Sequence, residues 1–147
     1  MNLLTFNALL CADEVIIPVG MDPMALIGAR QTLNGVSEVQ ELWPERGLRV
    51  LAVLPVAVNL NTRATRATLE ALEKDPQMQA HLFRAGIRQS IDLTYATAHR
   101  KTIWECAPCS RAAEDYSAFL DFLERVADFD QHRTSYGEQK VQGQQKI

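Results

Sequence analysis

The chain has 147 residues, 47% hydrophobic and 22% charged, with seven Gly and six Pro. That composition excludes a collagen-like, disordered or disulfide-scaffold protein, and the length suits one domain. Fifteen basic against eighteen acidic residues leave a net charge of −3, so any nucleic-acid contact must come from a local patch.

Leu3 to Leu10 reads as one or two apolar helical turns, ended by Cys11-Ala12-Asp13. Glu14 to Val19 is short, β-branched and unalternating, which predicts a strand buried on both faces of a parallel sheet. Asp22 is placed to cap a helix with Pro23 at its first position, and Leu26, Ala29, Leu33 and Val36 carry that helix to about Leu42. Arg49 to Val58 is a second apolar strand, in which Pro55 predicts a bend or an end.

Asn59 to Thr62 is turn chemistry, followed by a helix over Thr62 to Lys74. Short strands are predicted at His81 to Ile87 and Thr102 to Trp104. Ser110 opens a last helix with Ala113, Tyr116, Leu120, Leu123 and Ala127 on one face. Residues 1–128 thus form the folded part, and 129–147, rich in Gln, read as a polar disordered tail. The alternation predicts an α/β fold with a mostly parallel sheet flanked by helices. No apolar run approaches the roughly 20 residues that span a bilayer. Three Cys and the lack of a leader segment predict a reducing cytoplasm.

Cys106-Ala107-Pro108-Cys109 has redox spacing, but only one helix and a tail follow it, and neither Cys11 nor the scattered histidines supplies a second ligand pair. The cysteines therefore read as structural or incidental, with a thiol redox role for Cys106 and Cys109 the lesser alternative and no metal site expected. Glu38/Glu41, Glu70/Glu73 and Glu114/Asp115 read as solvated helix faces. None of the seven glycines is followed by Lys, so no phosphate-cradling Walker A loop is present. No catalytic residue is predicted. Basic residues gather as Arg63 and Arg66, three apart on a helix, and as Arg100-Lys101 in a loop, where they could meet a phosphate backbone.

Four stretches in order carry a family resemblance. Leu4-Thr5-x-Asn7-Ala8-Leu9-x-x-Ala12-Asp13-x-Val15-x-Ile17-Pro18-Val19 resembles the segment after the switch II aspartate of ParA-type partition ATPases. Ala25-Leu26-x-Gly28 is similar to the start of that family's next helix. Leu51-Ala52-Val53-Leu54-Pro55, Asn59 and Thr62-Arg63 resemble its following strand and Asp-x-Arg-Thr turn. Ile87 to Tyr116 resembles, without a gap, its Ile-Pro-Arg to Tyr region through Leu93, Ala96, Lys101, Ile103, Ala107-Pro108, Ser110-Arg111 and Ala113.

The resemblance implies the later half of a doubly wound, P-loop NTPase-like fold, lacking the P-loop half. It implies ATP and Mg²⁺ as family cofactors, a ParB-type partner, nonspecific DNA, and a cytoplasmic or nucleoid-associated place in segregating plasmids or chromosomes. Asn59, Ile87, Arg88 and Gln89 fall where the family surrounds the adenine. The departures lie there too: the family's Pro-Arg is Arg88-Gln89, its Glu-Ala is Tyr95-Ala96, and its Gly-Lys-Pro is Arg100-Lys101-Thr102. Gly20 replaces a Gln, and Asp92 stands where a basic residue is common. Without Walker A and switch residues, ATP hydrolysis by this chain alone is expected to be negligible. The alternative expectation is a noncatalytic dimerisation or binding module on the same scaffold. Loss of the central P-loop strand would bare a sheet edge and an apolar face, which predicts self-association or poor solubility.

Overall fold

The computed structural model describes residues 3–143, with side chains through 127. Strands β1 (Glu14–Val19) and β2 (Arg49–Pro55) pair in parallel, Ile17 beside Val53 and Val19 beside Pro55. Leu51 is the extra residue where the register shifts after Val15. Helices cover both faces of β2, an α/β arrangement that fits part of a doubly wound, P-loop NTPase-like fold.

On one face lie α1 (Leu3–Cys11), α2 (Pro23–Leu42) and α3 (Arg63–Lys74), in that lateral order. Asp22 caps α2 by accepting from the Met24 and Ala25 amides, both at 2.9 Å, with Pro23 at the first position as expected. Ala29, Leu33, Val36 and Val39 then repeat at helical spacing and are buried. Ile17, Val19, Val53, Leu72 and Met78 close this layer together with Ala29 and Leu33. Thr62 proves to be the cap of α3 rather than its first residue, accepting from the Thr65 amide. The short α4 (Pro76–Gln79) follows, capped by Asp75.

The opposite face is covered by α7 (Arg111–Gly143), whose Phe119 packs on Ala52, Leu54, Phe83 and Ile87. The Phe83 ring lies 5.2 Å from both Phe119 and Phe122. Helices α5 (Ile91–Ala98) and α6 (Ile103–Cys106) pack against each other beside it. The expected tail, 129–147, falls where side chains, and from 144 the backbone as well, lie outside the described residues.

Several expectations change. Strand β1 is buried on one face only: Ile16 is 41% exposed and Pro18 is also open, while the α7 side chains Phe119 and Phe122 pack on Ala52 and Leu54 of β2. The stretch from His81 to Ile87 forms no strand: Leu82 makes an isolated parallel bridge to Val53 of β2, and Arg88, just after the stretch, makes another to Val58, beyond the end of β2. A turn in which the Gly86 amide donates to the Phe83 carbonyl interrupts it. Thr102 to Trp104 is no strand: Thr102 caps α6 in a capping box with Glu105, whose carboxyl is held below its ordinary range by the Thr102 backbone and hydroxyl hydrogen bonds. On α7, Ala113, Tyr116 and Leu123 pack inward as expected, but Leu120 is 46% exposed, and Ala112, Phe119 and Phe122 complete the covered stripe.

Candidate functional site

Strand β2 ends at Pro55, and the chain turns through Ala57 at φ 55° before reaching Asn59. This crest is tied to the 87–89 segment by backbone bonds. The Val58 amide donates to the Ile87 carbonyl at 2.9 Å, the Gln89 amide to the Val58 carbonyl at 3.0 Å, and the Ile87 amide to the Pro55 carbonyl at 2.8 Å. Gly86 makes the approach possible. Its φ is +63°, and a Cβ there would lie 2.9 Å from Val58 Cγ2 and 3.2 Å from the Pro55 carbonyl oxygen.

The result is an open cleft of about 550 Å³ at the carboxyl ends of the strands, where ligands of open α/β sheets sit. Val56, Ala57, Leu93 and Tyr116 give it apolar wall, and Gln89, Ser90 and Thr94 add polar groups. At its edge Asn59 Nδ2 donates to Gln89 Oε1 at 3.3 Å, while Asn59 Oδ1 accepts from the Asn61 backbone amide in an Asx turn.

Of the residues expected around a base, Asn59, Ile87, Arg88 and Gln89 are thus brought together. Their side chains are not equally available. Ile87 is buried in the core and offers only backbone. The Arg88 guanidinium is held by Asp115, through Nη2 to Oδ1 at 2.7 Å and Nε to Oδ2 at 2.9 Å, and the Arg88 amide also donates to Oδ2. The Asp115 hydrogen bond is the main cause that raises the Arg88 pKa above its ordinary value. Asp115 therefore does not sit on a solvated face as expected. Burial pushes its carboxyl up, but the Arg88 hydrogen bonds and the Arg88 and Arg111 charges outweigh this and hold it below its ordinary range.

The basic candidates lie elsewhere. Arg63 and Arg66 are exposed in the first turns of α3, just after the Asn59 crest. Arg100 and Lys101 are exposed in the loop after α5, with Arg100 in the left-handed region at φ 53°. Cys11, Cys106 and Cys109 are free and exposed. Sequence reasoning places Tyr116 on the covered face of the last helix but reads Asp115 as solvated; the one signal for Asp115 is its position beside the apolar stripe of α7 that covers the 87–90 segment.

No protein-family model matches the chain. It is 33% identical over 127 residues to the sporulation initiation inhibitor protein Soj of Bacillus subtilis, covering 86% of this chain and 48% of that protein. It is also 33% identical over 117 residues to the chromosome-partitioning ATPase Soj of Thermus thermophilus, covering 77% of this chain and 44% of the relative. The chain belongs to the Soj/ParA family. It spans about half the length of the curated relatives it matches.

ATP and Mg²⁺ are implied at the family level, and the ParA-like residues present fit only one side of such a nucleotide. The cleft offers apolar wall, amides and carboxamides suited to a base. Among the described residues no Gly-Lys loop stands at a helix N-terminus to take phosphates, and no group of three His, Cys, Asp or Glu could hold a metal ion. Among them, too, no helix is long and apolar enough to cross a membrane.

Proposed function

We propose that this ParA-like chain takes part in partitioning plasmids or chromosomes, without hydrolysing ATP by itself. The observation that carries this is 33% identity to Soj across 86% of the chain. In this reading Asn59, Gln89 and the backbone of Ile87 and Arg88 form the adenine side of a nucleotide site, and Arg63, Arg66, Arg100 and Lys101 contact DNA phosphates. A ParB-type protein is the partner, and the chain works in the cytoplasm, at the nucleoid where DNA is bound. The test is expression of the chain in cells that carry a Soj-type system and a partitioned replicon. An altered loss rate of that replicon is expected; an unaltered rate, with the chain present and folded, overturns the proposal.

A second reading, a noncatalytic binding or dimerisation module derived from the ParA scaffold, is favoured by one observation. Core positions such as Val53, Leu72 and Ile87 are packed and buried, while phosphate-binding chemistry is missing from the described residues. The two readings separate on the same assay: a binding module that is not part of partition leaves the replicon's loss rate unaltered.

A further inference from the structure

We infer that the cleft prefers a 6-oxo purine to adenine, because Asn59 fixes which end of the Gln89 carboxamide is left for a ligand. The inference rests on the reading that this cleft takes a purine base, and departs from it in the base preferred.

One backbone donor orients both carboxamides. The Asn61 amide can only donate, so the Asn59 atom that receives it at 3.1 Å is Oδ1. The other end of Asn59 is then Nδ2, which donates to Gln89 at 3.3 Å. The Gln89 atom that receives it must be an acceptor, Oε1, and Nε2 points the other way. Flipping either carboxamide would set donor against donor. The backbone holds the pair in place. The Gln89 amide donates to the Val58 carbonyl at 3.0 Å and the Val58 amide to the Ile87 carbonyl at 2.9 Å, which sets residue 59 beside residue 89. Asn59 stands at the edge of the cleft and Gln89 in its wall, so Oε1 is drawn to the edge and Nε2 is left to the wall.

A free glutamine reads adenine with both ends, its oxygen accepting from N6 and its nitrogen donating to N7. With Oε1 turned to Asn59, Gln89 offers a base only N–H. The facing edge of a 6-oxo purine carries O6 and N7, both acceptors, whereas adenine sets its N6 amino donor beside N7. The other polar side chains of the wall do not reverse this. Ser90 Oγ accepts from the Asp92 amide at 3.2 Å and donates to its carboxylate at 3.0 Å. Arg88 is a donor only, and Asp115 holds it. The hydroxyls of Thr94 and Tyr116 donate or accept, and so serve either base alike. Gln89 is exposed, so water answers an unmet amino group and the preference is a few-fold one.

The test is calorimetry on the full chain with inosine and adenosine monophosphates, which share sugar and phosphate and differ at the 6-position of the purine. The inosine nucleotide should bind about 3–10-fold more tightly. Gln89→Glu puts an acceptor where Nε2 stands and should reverse the order. Asn59→Ala releases Oε1 and should bring the two nucleotides within about twofold of each other. In nitrogen-15 NMR spectra the Gln89 side-chain amide signals, identified by their loss in Gln89→Glu, should move further with the inosine nucleotide than with the adenosine one. Circular dichroism checks that both variants are folded. Equal binding to the wild-type chain, or tighter binding of the adenosine nucleotide, overturns the inference and leaves the base reading standing. An inosine preference that survives both substitutions overturns it as well, since another group would then read the base. If neither nucleotide binds the folded chain, the base reading fails and the inference with it.

Discussion

Arg88 and Asp115, 27 positions apart, form a two-pronged ion pair that fastens α7 to the segment leaving the sheet. The Arg88 amide donates to the same carboxylate at 2.9 Å, so one side chain fixes both the backbone and the guanidinium at the cleft. Arg88 is 43% exposed and Asp115 only 12%, so removing the carboxylate leaves a cation that water can reach and a backbone amide without its acceptor. Asp115→Ala should lower unfolding free energy by about 1–3 kcal/mol, toward the low end because water screens the exposed cation. Urea unfolding of the two proteins measures it, and an unchanged midpoint would show the pair to be incidental.

The same carboxylate sets an acid dependence. Burial raises its pKa, but the Arg88 bonds prevail, so the folded value lies below the ordinary 3.8 at which the unfolded chain titrates. As pH falls, the unfolded state takes up the proton first. The contribution is therefore complete well above 3.8 and is lost as pH drops below it toward the folded value. The stability gap between wild type and Asp115→Asn should stay constant near neutrality and narrow below that point. A gap that widens on acidification would contradict the assignment.

Gly86 and Gly47 share a left-handed backbone, at φ +63° and +64°, but not a neighbourhood. A Cβ on Gly86 meets Val58 and Pro55 within 3.2 Å, whereas one on Gly47 meets nothing within 4 Å. Gly47→Ala should cost about 1 kcal/mol of backbone strain, and Gly86→Ala about 2–4 kcal/mol because packing strain adds to it. Equal melting-temperature losses for the two variants would mean that the crest relaxes freely.

Much of this was legible in residue pattern. Asp22-Pro23 marked the start of α2 through capping chemistry, and Pro55 marked the end of β2, because both act within a turn of chain. The failures were tertiary. Glu14 to Val19 has the composition of a strand buried twice over, and nothing local says that Ile16 and Pro18 stay open while Ile17 and Val19 are covered. Thr102-Ile103-Trp104 is β-rich, yet the Thr102–Glu105 capping box overrides propensity. Asn59 and Gln89 were reachable by resemblance. Asp115 was not, since an acidic residue on a helix reads as solvated until its partner 27 residues upstream is known.

The exposed cations permit a separate test of DNA contact. Arg63 and Arg66 sit three apart in the first turns of α3, with no acidic residue in that first turn. If they neutralise phosphates, Arg63→Ala with Arg66→Ala should weaken duplex binding about equally for unrelated sequences. The slope of log affinity against log salt should fall by roughly 1 per arginine lost. Binding that is unchanged, or lost for one sequence only, would remove these residues from the interface.

A base-side cleft without phosphate ligands makes an unusual demand on nucleotide selectivity. In a complete site a lysine, loop amides and a metal ion grip the β- and γ-phosphates and make the triphosphate the preferred ligand. Here the wall is Val56, Ala57, Leu93 and Tyr116, with the carboxamide of Gln89 held from the edge by Asn59, and the nearby Arg88 cation is already paired with Asp115. Each added phosphate therefore gains little. ATP, ADP and AMP should bind within about threefold of one another, a difference below ~0.7 kcal/mol, and Mg²⁺ should leave the titrations unaltered. Asn59→Ala should weaken all three alike, and no phosphate should be released from ATP. Calorimetry on the purified chain, followed by a phosphate-release assay, decides the matter. ATP preferred more than ~10-fold, a requirement for Mg²⁺, or hydrolysis that copurifies with the chain would show that phosphate ligands come from somewhere other than these residues.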